Sequence, residues 1–491
     1  MASADDVLKR NIQTDGGDAG YTTPAGRMTI PGQPAPIRLY PYQWLWDTFF
    51  CAAEMSDFDQ AMRDMRIFLH SQLPNGFLGH IRYNREAKKY FPPPDIYYRG
   101  RIPESGELIS RITQPPNVAY GVARLVERMQ KQGMDREALA FLRDVYPSVF
   151  RYHEYLHDRR TAPNGLMVTI HPWENGDDNA PKWKYVYDGF AKNASVKRCM
   201  AGWLAHAAPE EARLPFAVQI NHVVSDWLSG MGIVYERMDI KLIDPAQRPI
   251  ASDYDAYLFL LHLYAEWEWD EHMILRDSPF RVCDPLMNSV LLRSDQCLLD
   301  MARRLGMRQD EARIGQWIDT VRSGMDALWD DRDKFYYALD LESQSLIRIR
   351  TVSSYVPLFS HAIPREKAEF LIRDIERLRD FGVTLLPSTD PEEPVFDRSR
   401  YWQGPVWVIT NALVEDGLAY YGRPDLARRV RQDTLSLLET CQNYRGGFSE
   451  YFDPYHVDTS GMGCYGSPEQ SWSAAIALKF GRTELENASG T

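Results

Sequence analysis

Nothing in the sequence approaches the run of about 18 apolar residues that a membrane-spanning helix needs. The first residues, Met1-Ala-Ser-Ala-Asp-Asp-Val7, lack the basic region and apolar core of a secretory signal. The expectation is a cytoplasmic protein with no membrane partner. A basic excess is also missing: 56 Lys and Arg stand against 68 Asp and Glu, for a net charge of -12. A nucleic-acid backbone demands a basic footprint, so no nucleic acid is expected. Clustered cysteine is absent too. Cys51, Cys199, Cys283, Cys297, Cys441 and Cys464 never stand as CxxC, which argues against a zinc site and against a disulfide framework. No cluster of ligand residues suggests a metal, and no cofactor is expected.

What the sequence does have is aromatic residues, 12% of the chain, including 13 Trp and 27 Tyr. A flat apolar ring with a polar handle suits the CH face and hydroxyl rim of a sugar, so a small-molecule sugar substrate is favoured. The chain is organised around His171-Pro-Trp-Glu-Asn-Gly-Asp-Asp-Asn179. Gly176 permits backbone angles closed to other residues, and Asn and Asp bond their own backbone, so an ordered loop presents acids beside an indole. Taken alone, such an acidic triplet more often only solvates a face.

Residues 1-37, polar and closing on Pro31-Gly-Gln-Pro-Ala-Pro36, are expected to form an irregular lead-in. Phe58, Met62, Met65 and Leu69 then recur at helical spacing, and similar patterns cover roughly 118-131, 135-158, 286-305, 309-329, 364-380, 404-421, 424-441 and 467-480. Several joints use one device. Gly133 before Asp135, Gly306 before Asp310, and Gly422 before Pro424-Asp425 each set a helix-closing glycine ahead of residues that start a helix. Antiparallel hairpins follow, and three of them in separate regions favour an all-α toroid of helix pairs over residues 38-485. An insertion or lid is expected over 185-247, and residues 332-338 and 345-350 suggest a small β-ribbon.

In a toroid of hairpins alternate loops gather at one end, and here the loops carry the unusual residues. Leu39-Asp47 holds Tyr40, Trp44, Trp46 and Asp47; Leu73-His80 holds Phe77; Ile112-Pro116 holds Gln114. Tyr401-Trp-Gln-Gly-Pro-Val-Trp407 and Gly446-Gly-Phe-Ser-Glu-Tyr-Phe-Asp-Pro454 complete the set with the segment around Trp173. That recurrence lifts the acidic loop above a solvated turn.

The motifs Tyr40-Pro-Tyr-Gln-Trp-Leu-Trp-Asp47, Ile112-Thr-Gln-Pro-Pro116, Trp173-Glu-Asn-Gly-Asp-Asp-Asn179, Tyr401-Trp-Gln-Gly-Pro-Val-Trp407 and Phe448-Ser-Glu-Tyr-Phe-Asp-Pro454 resemble those of glycoside hydrolase family 63. Within it they are most similar to the bacterial mannosylglycerate and glucosylglycerate hydrolases. The resemblance runs from about residue 20 to residue 480. It implies an (α/α)6 barrel and hydrolysis of α-glycosides with inversion, by an acid and a base about 6.5-9.5 Å apart. By motif position Asp178 matches the general acid and Glu450 the general base. To hold its proton Asp178 needs a raised pKa, so a partly desolvated place beside Trp173 or Trp402 is expected.

Other roles carry alternatives. Asp47 is expected to accept sugar hydroxyls, or to cap the following helix. Glu174 and Asp177 are assigned to loop structure, although an exchange of roles between Asp177 and Asp178 stays open. Asp453 is read as capping a turn, and His70, His80 and His171 as structural. Arg248 and Tyr254 resemble the residues that meet the substrate carboxylate, an arginine fork being its natural partner; without the resemblance, Arg248 is equally a surface salt bridge. Tyr40, Gln114, Trp407, Gln470 and Trp472 match positions lining the sugar or glycerate pockets, and Trp44, Trp46, Phe77, Trp173, Tyr401, Trp402 and Gly404 join them as candidate substrate-binding residues. The 70 positions between Asp178 and Arg248 exceed the family pattern, which puts the acceptor in question. The family also implies a homo-oligomer, a dimer or tetramer. Competing functions are an α-glucosidase acting on a neutral oligosaccharide, a phosphorylase, and a non-catalytic sugar-binding protein.

Overall fold

The structure, a computed structural model, describes residues 2-14, 20-28, 36-84, 90-98, 108-455 and 463-489. Helix α1 (Ala2–Arg10) opens the chain, followed by the hairpins α2 (Leu45–Glu54) with α3 (Phe58–His70) and α4 (Val118–Lys131) with α5 (Asp135–Arg159). Next come α6 (Ala194–Leu204), α7 (Phe216–Gly230) and α8 (Ala251–Glu266), then the hairpin α9 (Pro285–Leu305) with α10 (Arg308–Gly324). A 3₁₀ turn, Val356–Ser360, precedes α11 (Arg365–Asp380), and α12 (Val408–Tyr420), α13 (Pro424–Arg445) and α14 (Ser471–Ser489) follow.

These elements close an (α/α)6 barrel. Inside, α2, α4, α9, the 3₁₀ turn, α12 and α14 touch in that order, and α14 returns to α2. Outside, α3 backs α2, α5 backs α4, α10 backs α9, α13 backs α12 and α1 backs α14. The sixth outer helix, α11, is tied to the turn by the Tyr355 hydroxyl, which donates to Asp374 at 2.5 Å. Position follows composition. All ten residues of α2 are buried, as an inner helix requires, whereas α3 buries one face. Gly133, Gly306 and Gly422 adopt φ of 75°, 71° and 86°, the left-handed values that close a helix at each expected joint.

Three expectations need correcting. The described part of residues 1-37 is not an irregular lead-in: α1 buries Ala4, Val7 and Leu8 on α14 and fills an outer position of the ring. Ile12–Gln13 pairs with Tyr21–Thr22, and Ser471 N–H donates to the Pro24 carbonyl at 2.7 Å. Of the segment Pro31-Pro36, only Pro36 lies among the described residues. The stretch 185-247 is largely helical: α6 packs on α7, and α7 on α8. Asn193 caps α6 and is buried. In the expected ribbon, Ala338–Asp340 pairs antiparallel with Ser345–Ile347, and Val282–Cys283 adds a third strand.

Candidate active site

Each hairpin returns the chain, so the inner helices run the same way and their N-termini gather at one end. Asp47 lies in the first turn of α2, Gln114 just ahead of α4, Tyr401 ahead of α12, Gln470 directly before α14 and Trp472 in its first turn. Unpaired N–H groups and the positive ends of the helix dipoles therefore face a shared space.

That space is a pocket lined by Tyr40, Trp44, Trp46, Asp47, Gln114, Trp173, Asp178, Arg248, Tyr254, Tyr401, Glu450, Gln470 and Trp472. Two glycines shape its floor. Gly176, at φ 78°, closes the turn before Asp178 and lies so near Trp46 that a Cβ would stand 2.7 Å from Cζ2 of the indole. Gly466, at φ 69°, leaves room for the Glu450 carboxylate, which a Cβ would strike.

The acid loop is held from outside the pocket. Glu174 accepts from the backbone N–H groups of Thr113 (3.1 Å) and Ile170 (2.9 Å) and pairs with Arg160 at 2.6 Å. Asp177 pairs with Lys182 at 2.7 Å, and Lys182 reaches Asp284 at 2.6 Å. Asp177 thus belongs to a buried ion network, and Asp178 is the member of the pair that opens on the pocket. The Tyr257 hydroxyl donates to the Asp178 carbonyl at 2.7 Å and fixes its backbone.

Three carboxylates share this pocket with one cation, Arg248, among the described residues that line it. Asp178 is pushed up to about 8, chiefly by burial; Arg248 opposes the rise, and Asp177 and Glu450 add to it. Asp47 is raised well above its ordinary value by burial and by the charges of Glu450 and Asp178. It is not the N-cap of α2, which is Trp44, without a side-chain bond. Glu450 is also raised by burial, but Arg248, the Ser467 N–H (3.1 Å) and the Tyr40 hydroxyl (2.9 Å) favour its anion. The neighbouring carboxyls therefore differ in how well their charged forms are solvated by protein.

Arg248 is buried, and the segment expected to be an insertion fixes it. Its Nε donates to Asp239 at 3.2 Å, its Nη2 to Tyr40 Oη at 3.2 Å, and its guanidinium lies 4.1 Å over the Tyr401 ring. Nη1 has no hydrogen-bond partner and stands 3.8 Å from Glu450 Oε1. Arg237, 3.8 Å over Tyr254, and Tyr235, 5.1 Å from Phe91, brace the same wall.

Four expected residues do not line this pocket. Phe77 packs 5.2 Å from Tyr155 and faces a separate small cavity with Arg160 and Glu271, because its loop turns before His80 enters the main pocket. Trp402 and Trp407 stack on each other at 4.0 Å and 3°, behind the wall. Trp407 supports it by donating Nε1–H to the Tyr401 carbonyl (2.9 Å) and packing on Trp472 (5.4 Å). Gly404 is set by close packing, since a Cβ there would run into the Asp397 carbonyl. Conversely Pro24, His80, Ile81, Tyr90, Phe91 and Pro92 line the pocket unexpectedly. Tyr90-Phe-Pro-Pro-Pro94 has the aromatic and proline punctuation of the other loops, and that signal was there to be used. His80 and His171 are both held neutral by burial, His171 at about 3, so neither serves as a proton donor near neutral pH.

An (α/α)6 barrel with carboxylates set among indole and phenol rings at the mouth of its inner helices defines a glycoside hydrolase. The profile of the mannosylglycerate hydrolase MGH1-like glycoside hydrolase domain matches residues 40–473, and the chain belongs to that family. It is 35% identical to a mannosylglycerate hydrolase of Thermus thermophilus, over 93% of this chain and 97% of that one. It is 27% identical to a glucosylglycerate hydrolase of Mycolicibacterium hassiacum, over 91% and 93%. A crystal structure of a GH63 mannosylglycerate hydrolase from Thermus thermophilus, in complex with Tris and D-glycerate, superposes with a TM-score of 0.78 at 33% identity, covering 98% of this chain and 99% of that one.

Proposed function

We propose that the protein hydrolyses 2-O-α-glucosyl- or 2-O-α-mannosyl-glycerate to hexose and glycerate, with inversion at the anomeric carbon. Asp178, protonated near neutral pH, gives its proton to the glycosidic oxygen as the bond to the sugar breaks. Glu450 takes a proton from the water that attacks the opposite face. Tyr40, Arg248 and Ser467 hold Glu450 as the anion this step needs. Trp44, Trp46, Trp173 and Trp472 give the sugar apolar faces, and Asp47 accepts from its hydroxyls.

One observation carries the choice of acceptor: the buried Nη1 of Arg248, lacking a hydrogen-bond partner in the pocket that holds Asp178 and Glu450. A glycerate carboxylate would satisfy it, and Tyr254 stands on the same wall. Relatives named for mannosylglycerate and for glucosylglycerate hydrolysis support the reading and leave both hexoses open. The test is a panel of glucosylglycerate, mannosylglycerate and neutral α-linked disaccharides. Turnover of a glycosylglycerate that collapses in Arg248→Ala is expected. Preference for a neutral disaccharide, indifferent to Arg248→Ala, would overturn the acceptor, and dependence on inorganic phosphate would indicate phosphorolysis. Binding of these sugars with no turnover at all would mean a non-catalytic protein.

The reading includes a reducing, cytoplasmic setting, supported by six free cysteines. It also includes assembly into a dimer or tetramer, which would cover exposed apolar side chains such as Val234. Sedimentation of the wild type and of Val234→Lys tests the assembly.

A further inference from the structure

Residues 153-157, on α5, run His-Glu-Tyr-Leu-His. Two histidines four positions apart on a helix face the same way, which is how such a motif offers two imidazoles to one ion. From α9 the Asp295 carboxylate meets both: Oδ1 is 2.6 Å from His153 Nδ1 and Oδ2 is 3.0 Å from His157 Nε2. The ligand atoms of the three residues lie within 4.8 Å of one another. His153 and Asp295 are fully buried, and His157 lies stacked 4.6 Å from Trp317. The second nitrogen of His153, Nε2, is buried with no protein partner, so the ring is held through its Nδ1 side by Asp295. This overturns the expectation that no cluster suggests a metal.

We propose that His153, His157 and Asp295 bind one divalent transition-metal ion of the zinc class, clamping outer helix α5 to inner helix α9. Imidazole donors favour zinc, cobalt or nickel over magnesium or calcium, which prefer all-oxygen shells. Two imidazole nitrogens and the carboxylate supply three protein donors, and a water would complete the four that a tetrahedral site requires.

The same motif in a hydrolytic zinc centre uses its glutamate as the base and keeps a coordination position open to substrate. Here Glu154 pairs with Arg313 on α10. None of His153, His157 and Asp295 lines the sugar pocket. The site is therefore structural. It also sits three residues before Arg160, whose guanidinium holds Glu174 in the acid loop. Metal bound there would stiffen the support of Asp178 without touching substrate.

The test uses the full chain, purified without a histidine tag, stripped with a chelator and titrated with Co²⁺. The expected result is a visible absorption band that saturates at one equivalent, with a rise in Tm on loading. Both are lost in Asp295→Asn and in His157→Phe, which keeps the ring on Trp317. Glu154→Gln should bind like the wild type, and binding lost in that variant would contradict the assigned ligand set. No stoichiometric Co²⁺ or Zn²⁺ uptake by the wild type would overturn the proposal, as would uptake unchanged in Asp295→Asn. If the variants fail to fold, wild-type stoichiometry and the Tm rise still decide.

Discussion

At the N-terminal ends of the inner helices, Asp47, Asp178 and Glu450 face one guanidinium among the described residues; at the opposite ends, acids have cations close at hand. Glu54 closes α2 beside Arg124, at 3.0 Å, and Arg482. Burial pushes Glu54 up, yet these arginines pull it below its ordinary value. Asp416 is likewise lowered against burial, by His361 at 2.6 Å and by Lys479. Glu415 pairs with Arg431 at 2.5 Å. Burial alone therefore does not make an acid that holds its proton. Burial with too few cations does, and among the described residues that shortage falls at the end where Asp178 is proposed to donate.

The largest effects should come from the pocket end. Asp178→Asn and Glu450→Gln should each lower kcat by about 10²–10⁴-fold or more, the range for losing a positioned acid or base, with the fold intact by circular dichroism. Retained activity in either variant would remove that residue from the chemistry. Arg248→Ala should reduce kcat/KM on a glycosylglycerate by about 10–100-fold, from roughly 1.5–3 kcal/mol of lost charge-assisted bonding. A neutral glycoside should lose less, only the share that comes from Arg248 holding Glu450 as its anion.

At the other end, Glu54→Gln should leave turnover per folded molecule unchanged. It should destabilise by about 2 kcal/mol, less than the roughly 3–5 of a fully buried broken pair because Arg124 and Arg482 are partly exposed. A urea titration measures it. The sign of the pH dependence separates the ends. Glu54, lowered in the fold, contributes stability above its unfolded pKa that is lost as acid protonates it. Asp178, raised to about 8, takes up a proton on folding between about pH 4 and 8, so its contribution to stability falls as pH rises through that window. Asp178→Asn should therefore melt higher than the wild type at pH 8, with the gap closing toward pH 4. The smallest effect belongs to Phe77→Leu: about 1 kcal/mol of stability, with kcat and KM unchanged, since that ring serves a different cavity.

The same division explains what was legible in the sequence. Hairpin joints at Gly133, Gly306 and Gly422 announce themselves because closing a helix needs backbone angles that glycine supplies cheaply. Loop motifs carried the pocket carboxylates for a similar reason, since acids and indoles in a tight turn have few structural uses, whereas Arg248 came only through the family resemblance. Helix α8 went unseen because Ala256 to Leu261 is buried on every side, leaving no polar face to mark a period. The fourth inner member, Val356–Ser360, is a 3₁₀ turn too short to show one. Trp402 and Trp407 share a loop with Tyr401, but which ring faces sugar and which backs it depends on a stacking that residue spacing does not encode. The braces from Arg237 and Asp239 to the pocket arise from residues distant in the motifs, so only the folded chain brings them together.

The most direct test of the central claim follows the sugar released from α-linked glucosylglycerate or mannosylglycerate by NMR in the first minutes of hydrolysis. With Asp178 as acid and Glu450 activating water from the far face, the β-anomer should appear first and mutarotate afterwards. Initial release of the α-anomer would contradict the account.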